Sequence, residues 1–513
     1  LHSFQLLLLS LLFNSELQAL DYYWVGGSGL WSDHNNHWAT TSGGAVFHDQ
    51  VPTSMDNVYF DVNSFPAGGT VTVDQTIIYC MDMDWTGASN MPILEAPSDR
   101  QVWIYGSLML ISGMIWDVQG DVHFRAFQLG KTITSAGKKF LRYVYFDGID
   151  GGWTLLDAIH LSNNGYNLYH FDGSLNTNGQ DVKIDGGYFI SNGSANRSLN
   201  FSNSNIYIGL AGMCDYTGFQ IGYTPFNFDA GTSTIHMNSN CPYQYSNFQG
   251  GNQTYYNLIC DASTSMYLEG NNNFHSATFL RGAQIYGNNH FDNLTFTPGQ
   301  IYELGGGSTQ TINPGGSFNS NGTCMDFVSI ISNSGGMTAQ IEKTTGVINL
   351  SYVVLQDIHG IGGATFNATN SADLGNNIGW TFSPTATRNL YWVGGGGDWN
   401  APNHWSLISG GLGGECIPTP FDNVFFDQNS GFSQFGEQVN INMPIAFCQD
   451  MDWTGVINTP DLIGTNEKKL FIFGSLKFVS NMGLSYSGDV HFMAHQLGKT
   501  ITSAGKKFLR YVY

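Results

Sequence analysis

Asn205-Ile206-Tyr207-Ile208-Gly209, Ser233-Thr234-Ile235-His236-Met237, Asn257-Leu258-Ile259-Cys260, Ser276-Ala277-Thr278-Phe279-Leu280 and Asp292-Asn293-Leu294-Thr295-Phe296 share one pattern. Each is a short run of β-branched, aromatic or aliphatic side chains, and Gly/Asn-rich turns separate the runs. Gly and Asn suit such corners because both tolerate positive φ. No window of a dozen residues shows a 3.6-residue apolar period, so helices are not expected. Regularly spaced short strands with polar corners predict an all-β chain, a parallel β-helix or β-solenoid. In such a fold each coil buries its apolar rung only against its neighbours. A tandem array of β-sandwiches is the competing architecture.

Working outward, the chain repeats itself. Tyr23-Trp24-Val25-Gly26-Gly27 returns as Tyr391-Trp392-Val393-Gly394-Gly395, an offset of 391 − 23 = 368 residues. Cys80-Met81-Asp82-Met83-Asp84-Trp85-Thr86-Gly87 returns as Cys448-Gln449-Asp450-Met451-Asp452-Trp453-Thr454-Gly455, and Gln128 to Tyr145 is identical to Gln496 to Tyr513. The expected organisation is a signal peptide over 1–19, a first head over 20–146, a solenoid body over 147–386 and a second head over 387–513. The second copy stops in mid-unit, so the sequence reads as part of a longer protein. The 1–19 assignment rests on an apolar stretch from Phe4 to Phe13, short for a bilayer span, ahead of Leu17-Gln18-Ala19. No later segment is long and apolar enough to be a membrane anchor.

Composition narrows the function classes. Net charge is −21, from 39 acidic against 18 basic residues, so nucleic acid and anionic lipid should be repelled. Charged residues are only 11%, against about 25% in an ordinary soluble protein. Its polar surface must therefore come from Asn, Ser, Thr and Gly, the habit of a turn-rich extracellular β protein. Seven cysteines occur without a Cys-x-x-Cys, which supports neither a zinc ribbon nor a redox motif. Buried free thiols are the expected state of most of them.

The opening through His37-Trp38 and Asp56-Asn57-Val58-Tyr59-Phe60-Asp61 resembles a recurrent element of large repeat proteins on Bacteroidetes surfaces. So do its second copy, Phe291 to Phe296, Gly362 to Ala368, and Gly375-Asn376-Asn377-Ile378-Gly379-Trp380. The resemblance covers nearly the whole chain after the leader. It implies an adhesin-like or gliding-motility role, with export through outer-membrane secretion machinery of the type IX kind.

Two sets of residues are candidate sites. Trp24, Trp31 and Trp38 recur as Trp392, Trp399 and Trp405. Exposed, their faces would stack on sugar rings. Buried, they would cap the solenoid, which is the favoured reading because Trp dominates packing energy. Asp82 with Asp84, and Asp450 with Asp452, place two carboxylates on one strand face, where they could share a Ca²⁺. The alternative is an Asp closing a turn through backbone N–H groups. No other cofactor is indicated.

Catalysis is not expected. His170, Asp172, Asp181 and Asp185 lie close in sequence, but turn chemistry accounts for them, and no nucleophile elbow, zinc helix or phosphate loop occurs. The expectation is a secreted or cell-surface structural or adhesive protein that contacts surfaces or glycans. A β-helix polysaccharide lyase or hydrolase and a carbohydrate-binding module are the alternatives.

Overall fold

The computed structural model describes residues 19–162, 165–194, 196–210, 217–238, 245–262, 266–383, 386–494 and 496–513. The leader up to residue 18, Cys214, Cys241 and His495 lie outside the described residues. Strand accounts for 44% of the structure and helix for 1%. The long sheets are parallel, which sets aside the sandwich array, since sandwiches are built from antiparallel sheets. The fold is an all-β solenoid of stacked coils.

The chain divides into two compact units, Leu1–Phe291 and Asp292–Tyr513, a division that falls inside the segment read as the body. Strand pairing is continuous at residue 146. Val122, His123 and Phe124 of the first head pair in register with Val144, Tyr145 and Phe146, which pair with Leu168, Tyr169 and His170 of the body. The ladder passes from head to body without a break.

In the first unit each coil contributes short strands to successive faces. Asp121–Phe124, Lys131–Thr134 and Lys139–Phe140 make one such coil, and each pairs with its counterpart in the next. Strict alternation puts every second residue inside, as in Gln101–Ile104, Asp121–Phe124 and Asn205–Ile208. The inward residues of adjacent rungs stack. Phe124 lies 5.1 Å from Phe146, Phe189 lies 5.3 Å from Phe219, and Phe219 lies 5.0 Å from Phe248, all nearly parallel. Each fully buried Phe contributes about 1.5–3 kcal/mol of transfer free energy. That gain depends on the rungs above and below.

Each head opens with a hook instead of a further coil. Asp21–Trp24 pairs antiparallel with Trp38–Ala39, and Asn389–Trp392 pairs antiparallel with Trp405–Ser406. Glycine is required at the hook: a Cβ on Gly29 would sit 2.0 Å from His37 Nε2, and one on Gly397 the same distance from His404 Nε2.

In the second unit the coils continue through the ladder of Ile301–Leu304, Val328–Ser332, Val353–Gln356 and Ala372–Asp373. The second head then rebuilds the first head's sheets on its own core, which includes Trp392, Trp399, Trp405, Val424, Phe426 and Trp453.

Candidate functional site

The six paired tryptophans are all 0% exposed. Trp24 stacks on His37 at 4.6 Å and meets Trp38 edge-on at 4.9 Å; Trp392 does the same with His404 and Trp405 at 4.6 and 5.1 Å. The indole N–H of Trp24 donates to Gly27 O and that of Trp38 to Trp31 O, with the same bonds from Trp392 to Gly395 and Trp405 to Trp399. A sugar needs a free ring face, and these faces are taken. The ligand-binding assignment of Trp24, Trp31, Trp38, Trp392, Trp399 and Trp405 is therefore corrected: they form the buried core of the hook.

The paired carboxylates are engaged locally. Asp82 accepts from Ser107 N–H at 2.7 Å and faces Lys131 Nζ at 3.5 Å, while Asp84 closes its turn on Thr86 N–H at 2.7 Å. The second copy repeats this, with Asp450 on Ser475 N–H and Lys499 Nζ at 2.6 and 3.2 Å, and Asp452 on Thr454 N–H at 2.7 Å. In each copy an ammonium group lies beside the first carboxylate of the pair. Among the described residues no three His, Cys, Asp or Glu side chains gather as a metal site. Calcium at these positions rests on sequence spacing alone.

The four acid/base candidates of the body do not converge. His170 is fully buried and points inward, with Nδ1 3.0 Å from Ser191 Oγ and Nε2 3.2 Å from Gly173 O. Burial pulls its pKa down to about 4, the Gly173 hydrogen bond opposes that shift, and the nearby Arg197 charge reinforces it. Asp185 instead accepts from His160 Nε2 at 2.8 Å and Lys139 Nζ at 3.0 Å. Despite its burial, those bonds and charges hold its carboxyl below the usual range. Asp181 pairs with Lys183 at 3.1 Å. Asp181 and Asp185 flank the strand Val182–Ile184, whereas His170 belongs to Leu168–His170 in a different sheet.

The built feature that sequence reading missed lies where the second head meets the last coils of the body. Cys324 and Cys416 form a disulfide across 92 residues of sequence, whereas Cys80, Cys260 and Cys448 are buried free thiols. Beside the disulfide two sheet faces pack together. Phe327, Val354, Ala372 and Leu374 of the body lie against Ile445, Phe447, Phe471 and Phe473 of the second head, and none is more than 6% exposed. The rings of Phe327 and Phe447 are 5.7 Å apart.

A signal for this interface stood in the sequence. At the matching positions of the first head the residues are Ile77, Tyr79, Trp103 and Tyr105. There Tyr79 and Trp103 are half-buried, Trp103 Nε1 donates to Gln101 Oε1 at 2.9 Å, and the Arg125 guanidinium lies 4.2 Å over its ring. Tyr79 and Trp103 thus stand half-buried where Phe447 and Phe471 are covered, and Tyr105, itself buried beside Phe127, is replaced by Phe473.

A cleft of about 550 Å³ opens along the same junction. Asp373 and Phe382 line it from the body side, and Phe421, Asn423, Asp450 and Lys499 from the head side. Asn423 Oδ1 accepts from Asp450 N–H at 3.3 Å, which fixes the amide beside the carboxylate. Asp373 uses Oδ1 to close the turn at Gly375 N–H, 2.9 Å away.

Comparison with protein-family models, with curated proteins and with solved structures finds no match.

Proposed function

We propose that this is an exported structural protein of a bacterial surface, whose tandem solenoid repeats make adhesive contacts with surfaces or glycans. The observation that carries the reading is the disulfide-pinned seat of the second head on the preceding body. A repeat that carries its own seat for the next repeat is suited to building arrays, and arrays multiply weak contacts through avidity. Disulfides persist in oxidising compartments, which fits export. The acidic charge argues against nucleic-acid and anionic-membrane partners. The resemblance to Bacteroidetes surface proteins points the same way and suggests outer-membrane secretion machinery as the export route. No catalytic role is part of the proposal.

Protease treatment of intact producing cells tests it. The protein should be shaved from the cells while cytosolic markers stay intact, and Cys324 and Cys416 should resist alkylation until reduced. A protein protected in intact cells, with both thiols free, would end the reading.

A further inference from the structure

We infer that the cleft between the second head and the body end binds a neutral saccharide. The inference rests on the surface-contact reading above and names its ligand class.

Four observations carry it. First, the cleft's volume, about 550 Å³, falls among small-molecule sites, which run from about 300 to 1,000 Å³. Second, its polar groups both accept and donate. Asp373 and Asp450 accept, Lys499 donates, and Asn423 does both. A ligand made of hydroxyl groups uses that mixture fully, since each hydroxyl donates once and accepts twice. Third, Phe382 and Phe421 line the cleft half-buried. Half-buried rings keep some surface for the C–H face of a pyranose, which the fully buried hook tryptophans do not. Fourth, the charges select. Two carboxylates against one ammonium leave the lining net negative, which disfavours uronates, sulfated sugars and phosphate esters.

Repetition gives the proposal an internal control. The head-side groups Asn423, Asp450 and Lys499 have counterparts in Asn57, Asp82 and Lys131 of the first head. That head has Met55 where the second has Phe421. The Phe421 side of the cleft is therefore particular to the second head.

The full chain, with its disulfide intact, is to be titrated with neutral glucan and mannan oligosaccharides and with oligogalacturonate. Neutral oligosaccharide is expected to bind. Phe421→Ala and Asp373→Asn should each weaken it tenfold or more, with Asp82→Asn and Met55→Ala like the parent. Asp373→Asn keeps the acceptor that closes its turn, and a melting curve confirms that each variant is folded. Three results would overturn the assignment: binding of oligogalacturonate alone, neutral binding that survives both cleft variants, or no oligosaccharide binding. In each case protease shaving still decides surface display separately.

Discussion

Trp399 shows what a residue does in this chain. Its ring is fully buried, it meets Trp405 edge-on at 4.9 Å, and its carbonyl receives the Trp405 indole N–H. Trp399→Ala should cost about 3–5 kcal/mol. Denaturant unfolding of the second unit would register it, and a variant as stable as the parent would contradict the buried hook. His170 sets a pH dependence. Its folded pKa of about 4 lies below the 6.5 of an unperturbed imidazole. Between those values the unfolded chain binds more protons, so stability falls as pH drops from about 6.5 towards 4, and the group contributes nothing to the slope above pH 6.5. Burial lowers the His236 and His491 pKa values as well, so they add with the same sign. Melting temperature should therefore drop between pH 7 and pH 5, and less steeply in His170→Gln; equal slopes would place the acid sensitivity elsewhere. At this scale the sequence announced that the tryptophans matter. It could not show whether their faces were free, because burial is decided by residues far apart in the chain.

The strands were the legible elements. Asn205-Ile206-Tyr207-Ile208 and Thr234-Ile235-His236-Met237 pair residue for residue, as their shared pattern required. The seat of the second head was not legible, since a sheet's outer face looks alike whether water or another sheet covers it. Only the change from Tyr79, Trp103 and Tyr105 to Phe447, Phe471 and Phe473 marks the covered copy. Cys324 and Cys416 were legible as cysteines but not as a pair, because spacing does not give connectivity. The disulfide closes a loop of 92 residues, for which chain entropy alone suggests about 4–5 kcal/mol. Cys416→Ser should lower the melting transition of the second unit and leave that of the first in place. Transitions that shift together, or not at all, would mean that the bond does not fasten this seat.

At the scale of the whole molecule the repeat was plain from the matched blocks of sequence. Ladder pairing runs through Val144, Tyr145 and Phe146, because a coil stabilises whatever coil follows it. The central claim is that stacking, which is testable within the first unit. Tyr79, Trp103, His123, Tyr145, Tyr169, Ile190, Gln220 and Gln249 occupy successive rungs of one register. Spin labels at Tyr145 and Gln249, four rungs apart, should be separated by roughly 19 Å, and labels at Tyr79 and Gln249, seven rungs apart, by roughly 34 Å, at about 4.8 Å per rung. Pulsed dipolar spectroscopy that returns those two distances supports stacked coils; separations that ignore the rung count, or a spread with no defined distance, would contradict them.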